Sequence, residues 1–152
     1  MSNEIHIDYA SGNTVYFVIR NTAGQVWNPS AESFEDWGTQ GHSADDYWLA
    51  LIDKGGARYV GSFEANTPSG RYTIQAFLQA GGNPADGDTL IATRRVIWCG
   101  SGELTVDKIL ANKAVQNKST GAIDYYDDDG QTILMTITPS EDESSIMRIP
   151  NF

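Results

Sequence analysis

Residue types able to do chemistry are few in this chain, and their spacing decides what each can do. An Asp-Asp-Asp-Gly run at 127–130 crowds three carboxylates onto a glycine turn, the kind of oxygen cluster that holds calcium. The EF-hand spacing fails, because its first carboxylate, five places before Gly130, falls on Tyr125 and no glutamate closes the loop. The run therefore reads as turn chemistry. His6 and His42 are the only histidines, so a three-histidine metal site is excluded, and His42 with Asp45 and Asp46 is the one conceivable ligand cluster. Glu35/Asp36 and Asp45/Asp46 are adjacent carboxylate pairs. Glycoside hydrolysis needs two opposed carboxyls, whereas neighbours on a strand point to opposite faces. No Gly-x-Ser-x-Gly, phosphate-binding loop or His-Glu-x-x-His occurs. The reading is a non-enzymatic protein with no catalytic residue, metal or cofactor.

Cys99 is the single cysteine, so no internal disulfide can form, and beside Trp98 it reads as a small buried hydrophobe. Trp27, Trp37, Trp48 and Trp98, with Tyr47 and Tyr59, could form a stacking platform for sugar if they lay in an exposed row, or a core if they did not. The alternative to a structural role is accordingly a carbohydrate-binding β-sandwich module that recognises a host or environmental glycan.

The elements that position these residues are mostly strands. Segments 4–9, 14–20, 25–28, 47–53, 58–64, 71–79 and 89–98 are short and separated by turn signals, and several alternate with a period of two. In 14–20 both faces are apolar, as in an inner strand. Residues 30–39 read as an irregular segment that plugs Phe34 and Trp37 into the core, 41–46 as a polar loop, and Lys54-Gly-Gly-Ala as a hairpin turn. This spacing predicts a mainly β fold, an immunoglobulin-like β-sandwich over 1–99, with Tyr72 after Pro-Ser-Gly-Arg in the position of a corner tyrosine.

Residues 100–152 read as a short helix, a β-hairpin and an acidic C-terminal tail, joined to the sandwich by a Gly-Ser-Gly linker. Val106, Ile109, Leu110 and Ala114 fall at helical spacing within 104–115, with Thr105 as N-cap. Ile123 and Tyr125 pair across the hairpin from Ile133, Met135 and Ile137, and residues after Pro139 form a solvated run with a small apolar end. A helix this short and a lone hairpin are each marginal in water. Burial of Val106, Ile109, Leu110, Ile133, Met135 and Ile137, on the chain's own sandwich or on a neighbour, is expected to stabilise them by about 1.5–3 kcal/mol each. These six and Tyr125 are the seven candidate interaction residues.

With 20 acidic residues against 10 basic and a net charge of −10, the chain repels the phosphate backbone of nucleic acid. The charge is spread, with eleven acids and six bases in 1–99 and nine acids and four bases in 100–152. The opening residues lack a signal-peptide pattern and no apolar run reaches membrane-spanning length, so synthesis in a cytoplasm, without a membrane partner, is expected.

The Ile-Leu-Ala-Asn-Lys-Ala-Val run at 109–115 and the Tyr-Asp-Asp-Asp-Gly hairpin at 126–130 resemble, over 104–137, a module of virion structural proteins of tailed bacteriophages and prophages. The preceding segments, Val-Trp-Asn-Pro, Phe-Glu-Asp-Trp-Gly and Gly-Arg-Tyr-Thr-Ile-Gln-Ala-Phe among them, are similar to uncharacterised phage-like and bacterial proteins. The resemblance implies a structural subunit of a phage particle, in the capsid, neck, tail or baseplate, made in the bacterial host cytoplasm. Its implied partners are other virion proteins or copies of itself, and it carries over no site residues.

Overall fold

The computed structural model describes residues 5–141 and 146–151. Strand far outweighs helix, all mapped strand pairings are antiparallel, and the arrangement is sandwich-like. Two compact units are present, one of residues 1–67 and 71–96, the other of 68–70 and 97–152. The second unit thus takes in three residues ahead of the expected break at 99/100, and the 68–70 corner as well.

The strands lying wholly or mainly in the first unit are β1 (Ile5–Asp8), β2 (Val15–Arg20), β3 (Val26–Asn28), β4 (Ser33–Glu35), β5 (Leu49–Asp53), β6 (Arg58–Gly61), β7 (Gly70–Leu78) and β8 (Thr89–Trp98). Their order is β1-β6-β5-β2-β3-β4, with β7 on β2 and β8 on β7. On one side β2 pairs with β7 from Val15↔Leu78 to Arg20↔Thr73, and on the other with β5 and then β3. Paired on both flanks, it buries every residue from Val15 to Ile19, which is why its sequence is apolar on both faces. The sheet changes course at β5, whose Leu49–Leu51 stretch pairs with β2 and whose Ile52 and Asp53 pair with β6. Gly61 sits at this corner. A Cβ there would lie 2.9 Å from both Leu51 Cδ2 and Phe17 Cε1, so only glycine fits.

Aromatics fill this core. Trp27, Tyr16, Tyr47, Tyr59 and Phe17 are each less than 2 % exposed. Phe34 packs edge-on against Trp27 at 5.1 Å and stacks on Tyr72 at 5.3 Å. Phe34 and Trp37 therefore do enter the core, but residues 33–35 are a regular strand paired with β3 and not irregular backbone. Nor is 41–46 simply a loop. A 3-10 turn (Thr39–Gly41) leads into a helix, α1 (Ala44–Tyr47), so Tyr47 and Trp48 precede β5 and do not begin it. The helix is held from far along the chain: Asp86 accepts the Ala44 N–H at 2.8 Å, while Asp46 accepts the Ser43 N–H at 2.8 Å.

The second unit begins with a tight hairpin. Leu104 N–H donates to the Ile97 carbonyl and Cys99 N–H to the Gly102 carbonyl, with Gly100 at φ 81° in the turn. Gly-Ser-Gly is therefore a turn and not a linker. Next comes α2 (Val106–Ala111), capped by Thr105, whose hydroxyl accepts the Lys108 N–H at 3.3 Å. It is shorter than the helix expected, because the Asn112 side chain turns to the Tyr126 carbonyl (3.2 Å) and Asp128 (2.8 Å) and the following residues join a sheet. Ala114, expected on the helix, begins β9 (Ala114–Gln116). Antiparallel partners β10 (Ile123–Tyr126), β11 (Ile133–Glu141) and β12 (Ile146–Asn151) complete the order β12-β11-β10-β9. The expected acidic tail is thus in large part sheet: β11 runs on to Glu141 and β12 returns beside it, from Thr136↔Asn151 to Glu141↔Ile146. Residues 142–145 of that expected tail lie outside the described residues. No helix among the described residues is long and apolar enough to cross a membrane.

Candidate contact surface

Hairpin register sets which of the seven candidate side chains face inward. Ile123 opposes Ile137 and Tyr125 opposes Met135, within the facing sets expected, while Tyr126 opposes Ile133, which leaves Leu134 as the extra residue of a bulge. The bulge lets two sequence neighbours share one face, and Leu134 and Met135 are both buried. With Leu104 they form the core of this unit, packed by Ile97, Cys99, Ile109, Tyr125 and Ile137. Sequence periodicity alone does not report a bulge, which is why Leu134 escaped the candidate set.

Four of the seven, Ile109, Tyr125, Met135 and Ile137, therefore pack inside the unit. The other three do not. Val106 is 69 % exposed, Leu110 79 % and Ile133 46 %, so of the two expected places of burial, the chain itself or a neighbour, the chain itself does not bury these three. Val106 and Leu110 stand one turn apart on α2, which has no buried residue. The outer sheet face carries Lys113, Val115, Asp124, Tyr126 and Thr136, since alternate residues share a face and Val115 opposes Asp124, which opposes Thr136. There the Lys113 ammonium lies 4.1 Å from the centre of the Tyr126 ring, and Val115, absent from the candidate set, is exposed.

The carboxylates of the Asp-Asp-Asp-Gly turn are each drawn to a different partner. Lys108 Nζ reaches Asp127 at 2.6 Å, Asn112 donates to Asp128, and Asp129 accepts the N–H groups of Gln131 and Thr132 together with the Thr132 hydroxyl. Those bonds, the Thr132 hydroxyl foremost, hold the Asp129 carboxyl down at about 2. Gly130 takes φ 65° to close the turn. No group of three His, Cys, Asp or Glu among the described residues could hold a metal ion.

His42 lies beside Glu35, not in a cluster with Asp45 and Asp46. Its Nδ1 is 2.6 Å from Glu35 Oε1, which also accepts from Asn28 at 3.1 Å. The His42 contact first, then that of Asn28, holds Glu35 below the usual glutamate range. Asp46 is committed to the start of α1. Cys99 is half-buried, and burial pushes its thiol up to about 11, far from a reactive thiolate.

The six aromatics of the possible sugar platform do not form a row. Trp27, Trp98, Tyr47 and Tyr59 are buried, and Trp37 packs on Tyr47 at 4.9 Å with the Arg20 guanidinium 4.9 Å over its ring. Only Trp48 is substantially exposed, at 41 %. No protein-family model, curated protein or solved structure matches the chain.

Proposed function

We propose that this chain is a non-enzymatic structural subunit of a tailed-phage particle, in the tail, baseplate, neck or capsid decoration, and that it acts through protein–protein contacts made largely by residues 104–137. One observation carries the reading. Of the seven large hydrophobic side chains that stand exposed among the described residues, four (Val106, Leu110, Val115 and Ile133) fall in that segment, less than a quarter of the chain. Apolar groups gathered on one small module, whose own core takes only part of its apolar set, mark a surface that a partner covers. The resemblance of the same segment to virion structural modules supplies the setting. Net charge supports protein partners, other virion components or further copies, over packaged nucleic acid.

Mass spectrometry of purified particles from cells carrying the gene tests the role. The chain is expected in the particle in fixed stoichiometry, with hundreds of copies for decoration or tail tube and a few to dozens for neck or baseplate. Its absence from particles, together with a normal yield of infectious particles after deletion, overturns the proposal.

A further inference from the structure

The four-stranded sheet of the second unit has two edges, and they are built differently. The Lys113 carbonyl accepts from Tyr126 N–H at 3.0 Å and Asn117 N–H donates to the Ala122 carbonyl at 2.8 Å, with Val115 opposite Asp124 between them. Antiparallel alternation then aims the N–H and C=O of Val115 at β10 and those of Ala114 and Gln116 outward. The same alternation, carried through Ile123↔Ile137 and Ile137↔Pro150, aims the backbone of Pro150 outward on the opposite edge, where it has no N–H to give. That edge thus lacks one outward donor, at Pro150, while Arg148 and Ile146 keep theirs. The other keeps every donor, and residues 113–120 are exposed without a break.

Charge marks the open edge as well. Lys113-Ala-Val-Gln-Asn-Lys118 contains no acid in a chain where acids outnumber bases two to one. Lys113 reaches a carbonyl (Gly130, 3.1 Å) and a ring but no carboxylate, and neither it nor Lys118 has an ion pair among the described residues. Of the nearby carboxylates, Asp124 accepts from Thr136 and Asp128 from Asn112.

We infer that β9 is a strand-addition site for an extended acidic segment of another protein, which hydrogen-bonds to Ala114 and Gln116 and sets carboxylates near Lys113 and Lys118. Lys113 precedes β9 and Lys118 lies in the turn that follows it, so at about 3.3 Å per residue they stand at most roughly 17 Å apart, and the fitting segment carries acids no more than about five residues apart. A second copy's β9 is the wrong occupant, since antiparallel pairing about Val115 gathers four lysines along one short strand pair. The inference deepens the contact role proposed above and rests on it for its biological setting, while peptide binding is measured without any particle.

The test is a 15N NMR titration of the full chain with the peptide Asp-Thr-Val-Thr-Val-Asp, its lysine-ended counterpart, and the variants Gln116→Pro and Lys118→Glu. The acidic peptide is expected to shift the Ala114 and Gln116 amides and slow their exchange, and the lysine-ended peptide to bind roughly tenfold more weakly. Gln116→Pro, which removes an outward donor and the long, exposed side-chain bond to the Gly121 carbonyl (3.4 Å) but no bond to β10, is expected to abolish binding with the melting temperature nearly kept, and Lys118→Glu to weaken it several-fold. Unchanged amides at millimolar acidic peptide, equal binding of the two peptides, or self-association of the chain through this edge overturns the assignment. Peptide binding by a chain that is missing from particles keeps the edge assignment and sinks the virion setting instead.

Discussion

The two units bury apolar surface to very different degrees. In the first, Trp27, Tyr16, Tyr47, Tyr59, Phe17, Ile19 and Ile74 are sealed from water, and its inner strand β2 has no wet face. The second holds a core of Leu104, Leu134 and Met135, while α2 buries nothing fully and β9 is exposed at all three positions. Aromatic side chains bring large area per residue, so a unit of eight strands built on them completes its own core. A six-residue helix and a small sheet built on aliphatic residues leave part of their apolar surface in water. The difference teaches that the first unit completes its own core while the second leaves apolar side chains in water, and it can be broken or sharpened by substitution.

The largest effect is expected from Trp27→Ala, which empties a site 1 % exposed and removes the indole donor to Glu64 (3.1 Å). A loss of about 3–5 kcal/mol in urea unfolding is expected, enough to threaten the fold of the first unit. A loss under about 1 kcal/mol would break the comparison, because the aromatic core would then not be what stabilises that unit. Leu134→Ala is expected to cost about 2–5 kcal/mol but to act locally. Hydrogen exchange should speed up at 104–137 and stay unchanged in β2. Equal acceleration in both units would show that they do not divide stability as described.

Acid gives a smaller, graded effect in the first unit. Glu35 is held below its ordinary value of 4.5, chiefly by His42, so its contribution is present above that value and is lost as pH falls through the lower folded value. The melting temperature of the native chain is expected to drop over that acid window, and Glu35→Gln to flatten the drop. A pH profile that Glu35→Gln leaves unchanged would mean that the Glu35–His42 contact does not stabilise the segment between β4 and α1.

Local signals in the sequence were enough for the strands and much of the second unit. Thr89–Trp98 emerged with both ends in place, the Thr105 cap was legible from its position before an apolar run, and a hairpin setting Ile123 and Tyr125 across from Ile133, Met135 and Ile137 followed from alternation around a glycine turn. What escaped depends on distant partners. Helix α1 has four residues and no apolar period, and its first N–H is met by Asp86, 42 residues away. His42 finds Glu35 across a turn in which Gly38, Gln40 and Gly41 all take positive φ, a path that local composition does not specify. β12 was hidden by the acidic run before it and by Pro150, which reads as a breaker unless its nitrogen is known to face an edge. Of the seven candidate contact residues, sequence pattern identified the apolar set but could not separate Ile109 and Met135, which turn inward, from Val106 and Leu110, which do not. That division depends on where α2 stops and where the bulge falls.

The central claim is that the second unit carries the contact surface. Its most direct test compares two double variants supplied in trans to a phage lacking the gene: Val106→Ser/Leu110→Ser in the second unit, and Ile52→Ser/Leu90→Ser, which are 54 % and 47 % exposed, in the first. Both pairs lie on the surface, so each is expected to change stability by no more than about 0.5 kcal/mol per site. Quantitative mass spectrometry of purified particles should show the Val106/Leu110 variant reduced roughly tenfold or more, as for loss of buried contact residues, and the Ile52/Leu90 variant at the level of the native chain. Equal incorporation of the two variants would contradict the account.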